Sequence, residues 1–135
     1  MKKIFLLLVA MVTFLPCLFA EHIKFAVNGP EKRYNQIRIV NNTQKEDFTC
    51  KAYFLEERDG KFFTQEAIGV FHLLGEKSYD TCTSIKLFKN GMHIGITVPD
   101  EIGAFSYVVS YKNYPLFDII EVSLFDEESP IGKEF

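Results

Sequence analysis

Turn-forming residues punctuate this chain at short intervals, and between them apolar residues alternate with polar ones. That combination constrains the fold more than any other feature. Period-two alternation places successive side chains on opposite faces of a strand. Turn signals spaced by roughly 8–12 residues mark an all-β sandwich or barrel. In "FTCKAYFLEERDGKFFTQEA", Phe48, Cys50, Ala52 and Phe54 alternate with Thr49, Lys51, Tyr53 and Leu55. Asp59-Gly60 then stands where a two-residue hairpin turn belongs. The face carrying Cys50 is expected to point inward.

A second hairpin is expected in "SIKLFKNGMHIGITV", because Asn-Gly suits a type I′ turn, whose two central residues both need positive φ. Pairing outward from Asn90-Gly91 sets Leu87 opposite Ile94 and Ile85 opposite Ile96 on one face. That register puts Cys82 on the other face, so turning it inward would need a bulge near Thr83-Ser84. Further strands are expected at His22–Val27 and Gln36–Val40. "AFSYVVSYK" sets Phe105, Tyr107, Val109 and Tyr111 on one face, and "DIIEVSLFD" does so for Ile120, Val122 and Leu124. "TQEAIGVFHLLGEKS" reads as a short strand broken near Gly69 and Gly75, with a helical turn as the alternative. The expected fold is an immunoglobulin-like antiparallel β-sandwich of seven to nine strands over residues 21–126. A small closed β-barrel is the alternative. Residues 127–135 read as a loose acidic tail.

The N-terminus decides the compartment. Lys2 and Lys3 precede an apolar run from Ile4 to Leu15, the pattern of a secretory signal peptide over residues 1–20. As a helix that run covers about 18 Å, short of the roughly 30 Å hydrocarbon core, so no membrane span is expected. Cleavage after Ala20 fits the small-residue rule and releases a chain starting at Glu21. The alternative is a lipid anchor on Cys17, although Leu15 and Pro16 are poor residues before a lipidated cysteine. The chain is mildly acidic, at a net charge of −3, and offers no basic footprint for nucleic acid or anionic lipid.

Losing Cys17 with the leader leaves Cys50 and Cys82, an even pair in an exported protein, and a disulfide is the expected reading. Closing a loop of about 33 residues would contribute about 3–4 kcal/mol on the loop-entropy argument. Free thiols are the alternative. The strand "IRIVNNT", followed later by "LLGEKS", resembles the general style of bacterial extracytoplasmic immunoglobulin-like sandwiches. The resemblance implies that architecture and assigns no functional residue.

Chemistry is sparse. His22, His72 and His93 lack the spacing a zinc site favours, and no nucleophile elbow surrounds any serine. The carboxylates Glu56-Glu57 with Asp59, Asp100-Glu101 and Asp126-Glu127-Glu128 fall at turns or in the tail, where acids stay hydrated. Asn41-x-Thr43 matches a glycosylation acceptor but reads as a turn in a chain with a bacterial-type leader. Phe62-Phe63, Tyr111, Tyr114 and Phe117 serve as core filler or as an exposed patch. The expected function is that of a non-catalytic binding or structural module of a bacterial envelope, without catalytic residues, metal or cofactor. Its partner would be an envelope or host protein. A small extracytoplasmic hydrolase, or an inhibitor of one, is the alternative. Tyr114 and Phe117 in "KNYPLF" are the expected contact residues, since the proline between them limits the entropy lost on docking. In the competing role, both fold back to cap the core.

Overall fold

A computed structural model describes residues 23–28, 34–98, 105–114 and 117–126, excluding the side chain of Phe117. The leader, with Cys17 and Ala20, and the tail from 127 to 135 lie outside the described residues. Eight strands follow one another: β1 (Ile23–Ala26), β2 (Tyr34–Asn42), β3 (Asp47–Arg58), β4 (Lys61–Leu74), β5 (Tyr79–Phe88), β6 (His93–Thr97), β7 (Phe105–Tyr114) and β8 (Phe117–Asp126). They form two four-stranded sheets, β1-β6-β3-β4 and β5-β2-β8-β7. Every pairing is antiparallel except that of the two central strands of the second sheet, β2 and β8, which run parallel.

Alternation builds the core. Phe48, Cys50, Ala52 and Phe54 of β3 are buried as expected, and so are Ile120, Val122 and Leu124 of β8. They meet Ile37 and Ile39 of β2, Phe71 and Leu73 of β4, and Ile94 and Ile96 of β6 in one cluster drawn from both sheets. Aromatic pairs cross between the layers, Phe54 with Phe88 at 5.4 Å and Phe48 with Phe105 at 6.5 Å between ring centroids. Burying each such side chain stabilises the fold by about 1.5–3 kcal/mol relative to exposure.

Side chains bridge the edges of the two sheets. On one side Tyr107 donates its hydroxyl hydrogen to Lys24 O at 2.8 Å, and Asn28 N–H donates to the Tyr111 hydroxyl at 2.8 Å. These two phenols of β7 occupy backbone groups next to β1 that no strand pairs. On the other side the carboxylate of Asp80 accepts from His72 N–H at 2.9 Å, and Lys86 reaches Glu66 at 2.7 Å. Edge strands covered in this way present fewer free groups for unwanted pairing.

The Asp59-Gly60 turn is as expected, with φ of 51° and 76° and Arg58 opposite Lys61, the signature of a type I′ hairpin. The Asn90-Gly91 hairpin is not formed. Only Gly91 has positive φ there, at 89°, and Met92 N–H donates to Lys89 O, which fits a type II turn. That turn carries the chain from the second sheet to the first. β6 pairs with β1 and β3, while β5 pairs with β2. Ile94 and Ile96 gain two strand partners and full burial, whereas Ile85 and Leu87 face solvent. Non-local pairing with two neighbours outweighs the local one-neighbour hairpin. The segment from Lys61 to Leu74 is one continuous strand rather than two, although its register against β3 shifts beside Gly69, between the Ala52–Gly69 and Tyr53–Ala67 pairs.

The expected disulfide between Cys50 and Cys82 is absent, and both thiols are free. Cys50 lies on β3 in the core, opposite Phe71 of β4. Cys82 belongs to β5, and its thiol donates at 3.5 Å to Val70 O on β4 while its Sγ packs over Gly69. The second thiol is thus engaged at the β4–β5 seam rather than with Cys50. Cys82 shares the inner side of β5 with Ser84 and Phe88, Ile85 and Leu87 stand on the outer, and the β2–β5 register is irregular between Thr83 and Phe88, next to the expected bulge.

Candidate binding face

The outer face of the second sheet concentrates the polar and aromatic chemistry. Ile37 and Ile39 point inward, so Arg38 between them must point out, and Glu121, between Ile120 and Val122, does the same. Strand register then lines up Thr81, Arg38 and Glu121 across β5, β2 and β8. Arg38 Nε–H donates to Thr81 Oγ1 at 3.1 Å, and Nη1–H donates to the Tyr114 hydroxyl at 3.2 Å. The guanidinium carbon lies 4.6 Å from the Tyr79 ring centroid and 5.4 Å from that of Tyr114. Such cation–π contacts contribute about 0.5–1 kcal/mol each at exposed sites, and they hold the planar group in place.

Glu121 is buried on this outer face. Lys112 Nζ binds its Oε1 at 2.7 Å, and Arg38 Nη1 stands 3.9 Å from Oε2, beyond hydrogen-bond reach. The hydrogen bond to Glu121 holds the Lys112 ammonium above its usual pKa range, against a smaller opposing effect of burial. Two cations and one carboxylate leave this spot with a net positive charge. Along the outer side of β5 stand Tyr79, 63% exposed, Ile85, fully exposed, and Leu87.

Tyr114 therefore lies on the sheet face beside Arg38, not over the core. Phe117 opens β8 and stands opposite Tyr114 in the register, but its side chain is outside the described residues. Tyr111 faces inward, its ring 5.4 Å from that of Tyr34. Phe62 drapes over the outer face of the first sheet, 4.8 Å from the His93 ring and 3.9 Å from the Lys24 ammonium. Arg38, Tyr79, Lys112 and Glu121 escaped the sequence reading. The available signal was a charge placed mid-strand between apolar neighbours, and its partners lie on strands joined only by long-range pairing.

The remaining candidates for chemistry do not assemble. His72 pairs with Thr49 and His93 with Leu55 along β3, which sets them about 20 Å apart at strand rise. Among the described residues no group of three His, Cys, Asp or Glu side chains is placed to hold a metal ion. His22, Asp100, Glu101, Glu127 and Glu128 lie outside that description. Asn41, the glycosylation candidate, is fully buried with its amide hydrogens donated to Lys45 O and Gly75 O.

Burial pushes the Cys50 thiol up to about 12, so it remains protonated and unreactive at neutral pH. Burial, and then the nearby Asp80 carboxylate, also raise the Cys82 thiol. Accordingly, intact mass after alkylation in denaturant without reductant should show both thiols labelled, and Cys50 should stay unlabelled in the native protein at pH 7. Loss of two hydrogens with no label at either position would contradict the free-thiol state.

Compared with protein-family models, curated proteins and solved structures, the chain gives no match in any of the three.

Proposed function

We propose that this protein is a small extracytoplasmic, non-catalytic binding module of a bacterial envelope, and that its contact surface is the outer face of the β5-β2-β8-β7 sheet. The observation that carries the reading is the Arg38 guanidinium held between Tyr79 and Tyr114 on an exposed sheet face. Arginine and tyrosine dominate interface hot spots, because they offer large contact area at low entropic cost. The leader-like N-terminus supports the compartment, with release after Ala20 and no lipid on Cys17. The sandwich is immunoglobulin-like in architecture rather than topology. Its order of β1-β6-β3-β4 against β5-β2-β8-β7 departs from the ABED-against-CFG order of the constant-type domain.

Affinity capture from envelope extract, with wild type and a Tyr79→Ala/Ile85→Lys variant as baits, tests the reading. Partners retained by the wild type should be lost from the variant while its melting temperature stays within a few degrees. Equal capture by both baits rules this face out as the contact surface. N-terminal sequencing of the exported protein should begin at Glu21, and a diacylglycerol mass on Cys17 would overturn that part.

A further inference from the structure

Arg38, its side chain 21% exposed, has hydrogen-bond capacity that the described residues leave unused. Its Nε and Nη1 are occupied by Thr81 and Tyr114, and the Glu121 carboxylate stops 3.9 Å short of Nη1. Nη2 has no partner among the described residues. Nη1 spends one of its two hydrogens on Tyr114, and its second, with one from Nη2, forms the edge of a guanidinium that grips a carboxylate with two parallel hydrogen bonds. Tyr79 and Tyr114 flank that plane, and Thr81 fixes its orientation, so little side-chain freedom remains to be lost on binding. Lys112, on the far side of Glu121, leaves the spot with one net positive charge.

The same face continues as an apolar ridge. Outward positions on β5 run Tyr79, Thr81, Thr83, Ile85 and Leu87, and Ile85 stands at 103% relative exposure. An oriented cation beside exposed tyrosine and aliphatic side chains suits a polypeptide bearing an acid among apolar residues. The chain's net charge of −3 disfavours the polyanionic alternatives, nucleic acid and an anionic lipid surface.

Resting on the proposed binding face, we infer that the partner is a protein whose contact segment presents an Asp or Glu side chain to the Arg38 Nη1–Nη2 edge and aliphatic side chains to Ile85 and Leu87. Charge complementarity supplies the specificity, and the ridge supplies apolar burial. A carboxylate seated at the edge exchanges hydration for charge-assisted hydrogen bonds on a group already held rigid.

The test is selection of linear phage-displayed peptides on the full exported chain, followed by solution affinities of the synthetic winners. Enriched peptides should carry an acid with aliphatic neighbours. Affinity should fall at least tenfold with Arg38→Gln, and by a similar factor when the peptide acid is exchanged for its amide. Combining both changes should cost scarcely more than either one, which a general loss of charge would not produce. The amide exchange leaves the protein untouched and so guards against a misfolded Arg38 variant. Failure to enrich peptides, or additive losses, overturns the inference. Acid-free peptides lost with Ile85→Lys overturn it while leaving the binding face standing. Peptides indifferent to both Arg38→Gln and Ile85→Lys remove the inference and the face together. Concentration-dependent dimers dissolved by Ile85→Lys would make a second copy of this chain the occupant instead.

Discussion

Asn41→Ala should lower the free energy of unfolding by about 3–4 kcal/mol, since it strips partners from several buried groups at once. The Asn41 side chain is fully buried where the turn after β2 meets the turn between β4 and β5. Its amide donates to Lys45 O at 2.8 Å and to Gly75 O at 2.9 Å, and its carbonyl accepts from Thr43 N–H and the Thr43 hydroxyl. The backbone adds to the joint, with Asn41 N–H donating to Ser78 O and Lys77 N–H to Asn41 O. One side chain thus ties together two turns that each cross between the sheets. Asn41→Asp should cost at least as much, because an acceptor oxygen would then face two carbonyl oxygens in a site shielded from water. Urea denaturation measures both. A loss below about 1 kcal/mol for Asn41→Ala would mean that water or a shifted turn replaces the amide. The same burial keeps the Asn41 nitrogen from any glycosylating enzyme once the domain has folded.

Some of this was legible in the sequence, and the division has a physical cause. Features decided within a few residues were readable. The Asp59-Gly60 turn needs two positive-φ residues in a row, and the sequence offers them between matching strands. The inward faces of β3, β7 and β8 follow from alternation alone. Features decided by partner choice were not. Asn90-Gly91 has the same local chemistry as a hairpin turn, yet β6 is worth more to the core between β1 and β3 than beside β5. The Cys50–Cys82 bond was inferred from number and compartment, which carry no information on where two thiols point. The candidate face suffered most. Arg38 and Glu121 become neighbours only through the parallel β2–β8 pairing, across a sequence separation that no local pattern encodes. The sequence points to Tyr114 through its proline neighbour, whereas its partner, Arg38, comes from a distant part of the chain. The resemblance pieces "IRIVNNT" and "LLGEKS" do meet, since Asn41 binds Gly75 and Ser78, so they mark a structural joint rather than a functional site.

Gly69→Ala should destabilise the protein by about 2–3 kcal/mol, and the cause should be traceable to one contact. A Cβ built at Gly69 falls 2.6 Å from Cys82 Sγ, closer than real side chains approach, and 3.0 Å from Cys82 Cβ, a tight contact. The sulfur belongs to a short side chain held by its contact with Val70 O, so it has little room to swing aside, and β5 would be pushed off β4. Cys82→Ala alone removes a half-buried thiol and should cost about 1 kcal/mol. In the double variant the sulfur is gone, and only the milder contact with Cys82 Cβ remains. The double loss should therefore be smaller than the sum of the single losses by at least about 1 kcal/mol. Gly60→Ala provides the control. Its added Cβ meets nothing within 4 Å, but its φ of +76° strains any L side chain, so its cost should be additive with Cys82→Ala. Additive losses at Gly69 as well would locate the strain in the β4 backbone rather than at the sulfur. Rescue by Cys82→Ala at Gly69 alone would establish that the missing side chain at Gly69 is the space in which the Cys82 thiol closes the β4–β5 side of the sandwich.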